Sequence, residues 1–137
     1  MFKIKEFEKI YTLLNLNEKK RAQEILISLR TRLALHPDYL FLMSLYLKED
    51  KRYYLSIDSS LLSIKIDNDF EFLKKRNFTK SSDELVKQRY LLLIDLFKEI
   101  NIPELLQLTN FTLESNDHLK FIKHINQIMP GIRLKLK

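Results

Sequence analysis

The sequence predicts an all-α fold. Apolar residues recur at spacings of three and four along almost the whole chain, the period of helices with one buried face. Glycine occurs once, at Gly131, and proline three times, at Pro37, Pro103 and Pro130, so the residues that tight strand hairpins require are scarce. The apolar stretches are joined by short polar links rather than long loops. At 137 residues the chain is expected to form one domain over residues 1–130, with an irregular insertion at about 68–81 and a separate basic tail at 131–137.

Phe2, Phe7, Ile10, Tyr11 and Leu14 mark a first helix. Asn17 then opens Asn-Glu-Lys-Lys and reads as the N-cap of a second. In that helix Ala22, Ile25, Leu26, Leu29 and Leu33 form a continuous stripe, which should stop before Pro37 because the residue preceding a proline avoids helical geometry. His36-Pro37-Asp38 restarts the chain: proline suits a first helical turn, and an early aspartate complements the helix dipole. A third helix is expected over 38–48 and a fourth over 53–66, separated by the polar 48–52 and ended by Asp67-Asn68-Asp69.

Residues 70–81 are less regular, with Phe70, Phe72, Leu73 and Phe78 set around Lys74-Lys75-Arg76. Ser81-Ser82-Asp83-Glu84 then fits a capping box, in which serine and glutamate three apart satisfy each other's free amides. The next helix carries Leu85, Arg89, Leu92, Leu93, Leu96 and Ile100. Pro103 opens another, holding Leu105, Leu106, Leu108 and Leu113. A last helix places Leu119, Ile122, Ile125 and Ile128 on one side and should cap the end of the stack before Pro130-Gly131 stops it.

Helices of this length with short links pair into hairpins. In the middle pair Leu40, Met43, Ser44 and Leu47 are followed by Ser56, Ser60, Ser63 and Ile64. This resembles a tetratricopeptide repeat, with large, large, small, large positions in its first helix and small residues where neighbouring helices meet. Pro37 stands at the family's inter-repeat proline, and Arg89, Leu92, Leu93 and Leu96 with Leu105, Thr109, Thr112 and Leu113 resemble a further repeat. The family's glycine is replaced by Ser44 and then Leu93, and its alanines by serine or threonine. The resemblance implies a right-handed superhelix of about three helix pairs plus a capping helix. It also implies a peptide-binding groove lined by the first helix of each pair, on which Phe41 and Leu45, then Tyr90, Ile94 and Phe97, would lie. The alternative for the run Tyr90 to Phe97 is a helix that is apolar all round because it is buried all round. The serines at 56, 60 and 63 read as close-packing positions or a solvated strip.

The net charge of +6 is concentrated at the C-terminus. From Leu119 onward there are five basic residues and no acidic one, leaving 19 basic against 18 acidic in the first 118 residues. An electrostatic partner is therefore expected at Arg133, Lys135 and Lys137, where alternation of period two should carry the chain off the body. Cysteine is absent, which excludes disulfides, thiolate zinc sites and cysteine nucleophiles. No apolar run approaches the roughly 18 residues of a membrane span, and the charged start offers no uninterrupted signal core. A soluble, cytoplasmic protein is expected.

Catalytic material is sparse. One glycine excludes a phosphate-cradling loop and a dinucleotide fingerprint, and His36, His118 and His124 form no HExxH pair. Asp67, Asp69 and Glu71 alternate as in calcium loops but lack the turn glycine, so no metal and no cofactor is expected. Arg30 and His36, six apart, resemble the catalytic motif of HEPN-type ribonucleases, which would make the chain an RNA-acting enzyme; the competing reading is a surface cation and a histidine before a repeat-ending proline. Phe72 to Phe78 interleaves aromatics with positive charge as single-strand nucleic-acid surfaces do, and equally as a solvated loop pinned by its phenylalanines. The expected function is a non-enzymatic protein-binding module, an adaptor, assembly factor or chaperone-like protein taking a peptide or helix of another protein. RNA binding is the alternative. The sequence leaves self-association into a homo-oligomer open.

Overall fold

The computed structural model describes the backbone of residues 1–135 and the side chains of residues 1–128. Among these residues there are eight helices and no strand: α1 (Lys5–Asn15), α2 (Lys19–Leu33), α3 (Pro37–Glu49), α4 (Tyr53–Asp67), α5 (Phe70–Arg76), α6 (Asp83–Glu99), α7 (Pro103–Ser115) and α8 (His118–Lys135). Helices adjacent in sequence pair as α1 with α2, α3 with α4, and α6 with α7. The first helix of each later pair also packs on both members of the pair before it, α3 on α1 and α2, α6 on α3 and α4. No described helix is long and apolar enough to cross a membrane.

One turn geometry makes all three hairpins. Asn17, Lys51 and Asn101 take left-handed φ values of 59°, 60° and 57°. In each case the next amide reaches back to the carbonyl five residues earlier: Glu18 to Leu13 at 2.9 Å, Arg52 to Leu47 at 2.9 Å and Ile102 to Phe97 at 3.1 Å. This is the Schellman arrangement, which satisfies carbonyls left free at a helix end. It ordinarily calls for glycine, but asparagine tolerates the left-handed region, and four of the five positive-φ residues among those described are asparagine. Asn17 thus ends α1; it does not cap α2, where Glu18 holds the cap position without a side-chain bond.

The other helix starts follow local chemistry. His36 caps α3, its Nδ1 accepting from the Asp38 amide at 3.0 Å, with Pro37 in the first turn. The expected capping box at 81–84 does not form: Ser82 is the cap of α6, accepting from the Leu85 amide at 3.3 Å, and Ser81 turns inward. The insertion contains a two-turn helix, α5, capped by Asp69. α8 continues through Pro130 and Gly131 to Lys135 rather than stopping there. A proline forfeits one amide bond and strains the turn before it, a cost of about 3 kcal/mol that bends a long helix without having to end it. The expected stop of the helix at Pro130-Gly131 is corrected accordingly. The side chains of Arg133 and Lys135, and all of Lys137, lie outside the described residues.

A single apolar core runs from Phe7 and Ile10 on α1 through Leu26, Leu42, Ile57 and Leu93 to Phe121 and Ile125 on α8. A smaller cluster of Leu40, Ile66 and Leu73, flanked by Phe72 and Phe78, seats α5 on α3 and α4. α3 and α4 approach closely along their serines. Ser44 Oγ donates to the Ser56 carbonyl at 2.6 Å and Ser56 Oγ to that of Ser44 at 2.7 Å. Ser63 donates to the Pro37 carbonyl at 2.6 Å. These serines are buried close-packing positions, not a solvated strip.

Candidate functional site

The groove expected from the repeat resemblance loses its side chains. Phe41, Tyr90 and Phe97 are 1 %, 1 % and 0 % exposed, Ile94 is buried and Leu45 half-buried. The reason is the position of α6, which lies against α3, α4 and α7 and meets α8 through Tyr90 and Phe121, whose rings stand 5.1 Å apart. A helix enclosed this way is apolar on every face that is covered. Phe41 also serves the interior directly, its ring facing the guanidinium of Arg89 at 5.6 Å.

Arg89 is the centre of a buried charge network. It is fully enclosed, and its Nη2 donates to Asp38 Oδ1 and to Ser81 Oγ, both at 2.7 Å, while its Nη1 lies 3.5 Å from Asp67 Oδ2. Ser81 closes the ring, its hydroxyl donating to Asp38 Oδ1 at 2.5 Å and its amide to Asp67 Oδ1 at 2.8 Å. Burial pushes the Arg89 guanidinium down, and Asp67 and Asp38 oppose that shift. Lys80 reaches Asp67 Oδ2 from the surface at 3.4 Å, so two aspartates meet two cations and the network is neutral. These contacts tie the start of α3, the end of α4 and the 77–82 link to the middle of α6.

Outside this network the surface opens into two abutting clefts. One, of about 700 Å³, is bordered by Lys80, Asp83, Lys87, Tyr90, Asn116 and His118. The other, of about 540 Å³, lies under α5 between Phe70, Leu73, Lys74 and Phe78. Asn68 and Lys80 border both, so the two clefts adjoin at these residues as the two parts of one groove. At the floor of the larger cleft Tyr90 Oη and His118 Nδ1 are 2.6 Å apart with their rings stacked. Burial raises the Tyr90 phenol well above its ordinary value, and burial followed by the nearby Lys80 lowers the His118 imidazole. Both directions keep the pair uncharged, a protonated phenol against a neutral imidazole.

The other residues singled out in the sequence are placed apart from this groove or at its edge. Arg30 is exposed on α2, whereas the His36 ring is enclosed between Phe7 and Phe78 at 5.2 Å and 4.8 Å and is held by its cap bond. Asp67 is buried in the network, and no group of metal-ligating side chains occurs among the described residues. No protein-family model, no curated protein and no solved structure matches this chain. Periodicity misses the network, because it counts Arg89 as one more stripe position. The available signal is its place, four residues after Leu85 and three before Leu92 on the buried face, where a guanidinium requires acidic partners.

Proposed function

We propose that this chain is a binding module, a short stack of tetratricopeptide-like hairpins that holds a segment of another protein without converting it chemically. The observation that carries this reading is the pair of adjoining clefts, one under α5 and one over the Tyr90–His118 floor. The stacked-hairpin reading is supported by the thrice-repeated turn at Asn17, Lys51 and Asn101 and by the packing of α3 and α6 on the pairs before them. The 49 positions from Asn68 to Asp117, against 31 from Pro37 to Asn68, are accounted for by α5 and its flanking links. The groove sits on a preorganised floor, since the buried network fixes the three segments that meet there, and preorganisation lowers the cost of binding.

A second reading, binding of RNA, is favoured by the exposed Lys74, Lys75 and Arg76 on α5. Affinity capture on the intact chain, with and without nuclease treatment and across a salt series, separates the two. The module reading expects a protein retained at moderate salt and indifferent to nuclease. Retention of RNA, lost steeply as salt rises, would overturn it.

A further inference from the structure

We infer that the groove takes an extended peptide carrying a bulky apolar side chain next to one or more carboxylates, the apolar group entering the pocket under α5 and the acids lying beside Lys74 and Lys87. This deepens the binding-module reading and rests on it. The two ends of the groove differ in chemistry, and that difference defines the occupant. Under α5 the walls are Phe70, Leu73 and Phe78, and Phe70 is 76 % exposed although it adjoins a pocket large enough for a side chain. Beyond the shared Asn68 the lining gains charged groups, Lys80 and Lys87 beside the acid Asp83, among Val86, Tyr90 and Leu113. Lys74 adds a third cation at the apolar end. Lys80 is itself paired with Asp67 Oδ2 at 3.4 Å, so Lys74 and Lys87 are the cations left to meet an occupant. The opening is therefore net cationic, and its complement is anionic.

The same walls argue for a peptide over a nucleic acid. Single-strand binding uses open aromatic faces on which bases stack. Here the Phe78 ring is packed on His36 at 4.8 Å and the Phe72 ring is covered by the Arg76 guanidinium at 5.4 Å. Phe70 is the most exposed of the three, and it borders a pocket rather than a flat platform.

The test is an amide-resolved NMR titration of the full-length chain with synthetic peptides of about ten residues, long enough when extended to run the groove. Each peptide carries one Leu, Ile or Phe followed by Glu or Asp in a Gly-Ser background; control peptides carry Lys in place of the acids, and a uridine oligonucleotide is added separately. Apolar-acidic peptides should shift the amides around Asn68, Lys80 and Lys87. Phe70→Ser and the Lys74→Glu/Lys87→Glu double variant, which leave the buried network intact, should each weaken binding about tenfold, and only the charge variant should change the salt dependence. If no apolar-acidic peptide perturbs the groove, or lysine controls bind it equally, the inference fails even where affinity capture still returns a protein partner. Occupation of the groove by the oligonucleotide would overturn the inference together with the module reading.

Discussion

Arg89, Asp38 and Asp67 form the part of the molecule in which a single side chain matters most. Removing the guanidinium leaves Asp38, enclosed at 5 % exposure, without its ion-pair partner and Asp67, at 2 %, with Lys80 alone. Arg89→Met should therefore destabilise the fold by about 3–5 kcal/mol, read as a lowered urea midpoint. Arg89→Lys should recover only part, because a single ammonium cannot reproduce the fork that reaches Asp38, Ser81 and Asp67. Phe97→Ala, at a site of 0 % exposure, should cost about 3–5 kcal/mol as a core truncation. The histidines add a pH dependence. Burial, the largest influence on each, holds His36 and His118 below their ordinary value of 6.5. In the window between the folded and unfolded values the unfolded chain binds more protons. Stability should hence be full above about pH 7 and fall as the pH drops below about 6.5, ahead of the carboxylate range. His36→Asn keeps an acceptor for the Asp38 amide without titrating, so its melting temperature should decline less over that interval. The side-chain partners in this region are not legible in the sequence, because Asp38, Asp67, Ser81 and Arg89 are brought together over separations of up to 51 residues. Each has a sufficient local explanation as a dipole partner, a helix end, a cap or a stripe residue.

At the scale of the element, the helices are legible and their ends less so. The stripes of α2, α6 and α7 follow from spacing alone, and Pro37 and Pro103 open α3 and α7 as expected. Asn17 is ambiguous because asparagine serves both as an N-cap and as a left-handed helix terminator, and the choice is made by the carbonyls of the preceding helix. Ser81 departs from the capping pattern because the buried network competes for its hydroxyl and leaves the cap to Ser82. Pro130 has the sequence character of a stop, yet the helix passes through it. The repeated turn yields a prediction of opposite sign to most substitutions. Among the described residues Lys51 is the one non-asparagine at a left-handed position, and its Cβ carries the steric cost of that region. Lys51→Gly should raise stability by about 1 kcal/mol, measured by thermal unfolding. The same change at a helical surface position such as Lys65 should lower it by a similar amount.

Across the whole molecule, the all-α class and the pairing of adjacent helices are legible from periodicity and link length. The direction in which the stack opens is not. Repeat resemblance puts the binding face on the first helices of the pairs, but α6 is covered from several sides at once and its aromatics belong to the core. The insertion, a departure from the repeat pattern, supplies instead one wall of the groove, with Phe70 exposed and Leu73 anchoring it to Leu40 and Ile66. The apolar core is continuous from α1 to α8, so the described helices should unfold in one cooperative transition, with coincident melting by far-ultraviolet circular dichroism and by core tyrosine fluorescence. The claim that binding occurs on the α5–α6 side of a rigid hairpin stack is tested most directly by hydrogen exchange of the intact chain with and without its captured protein partner. Protection is expected over residues 68–90 and near His118, with α1 and α2 unchanged. Protection confined to α1 and α2, or spread along the exposed side of α3 with none at residues 68–90, would contradict it.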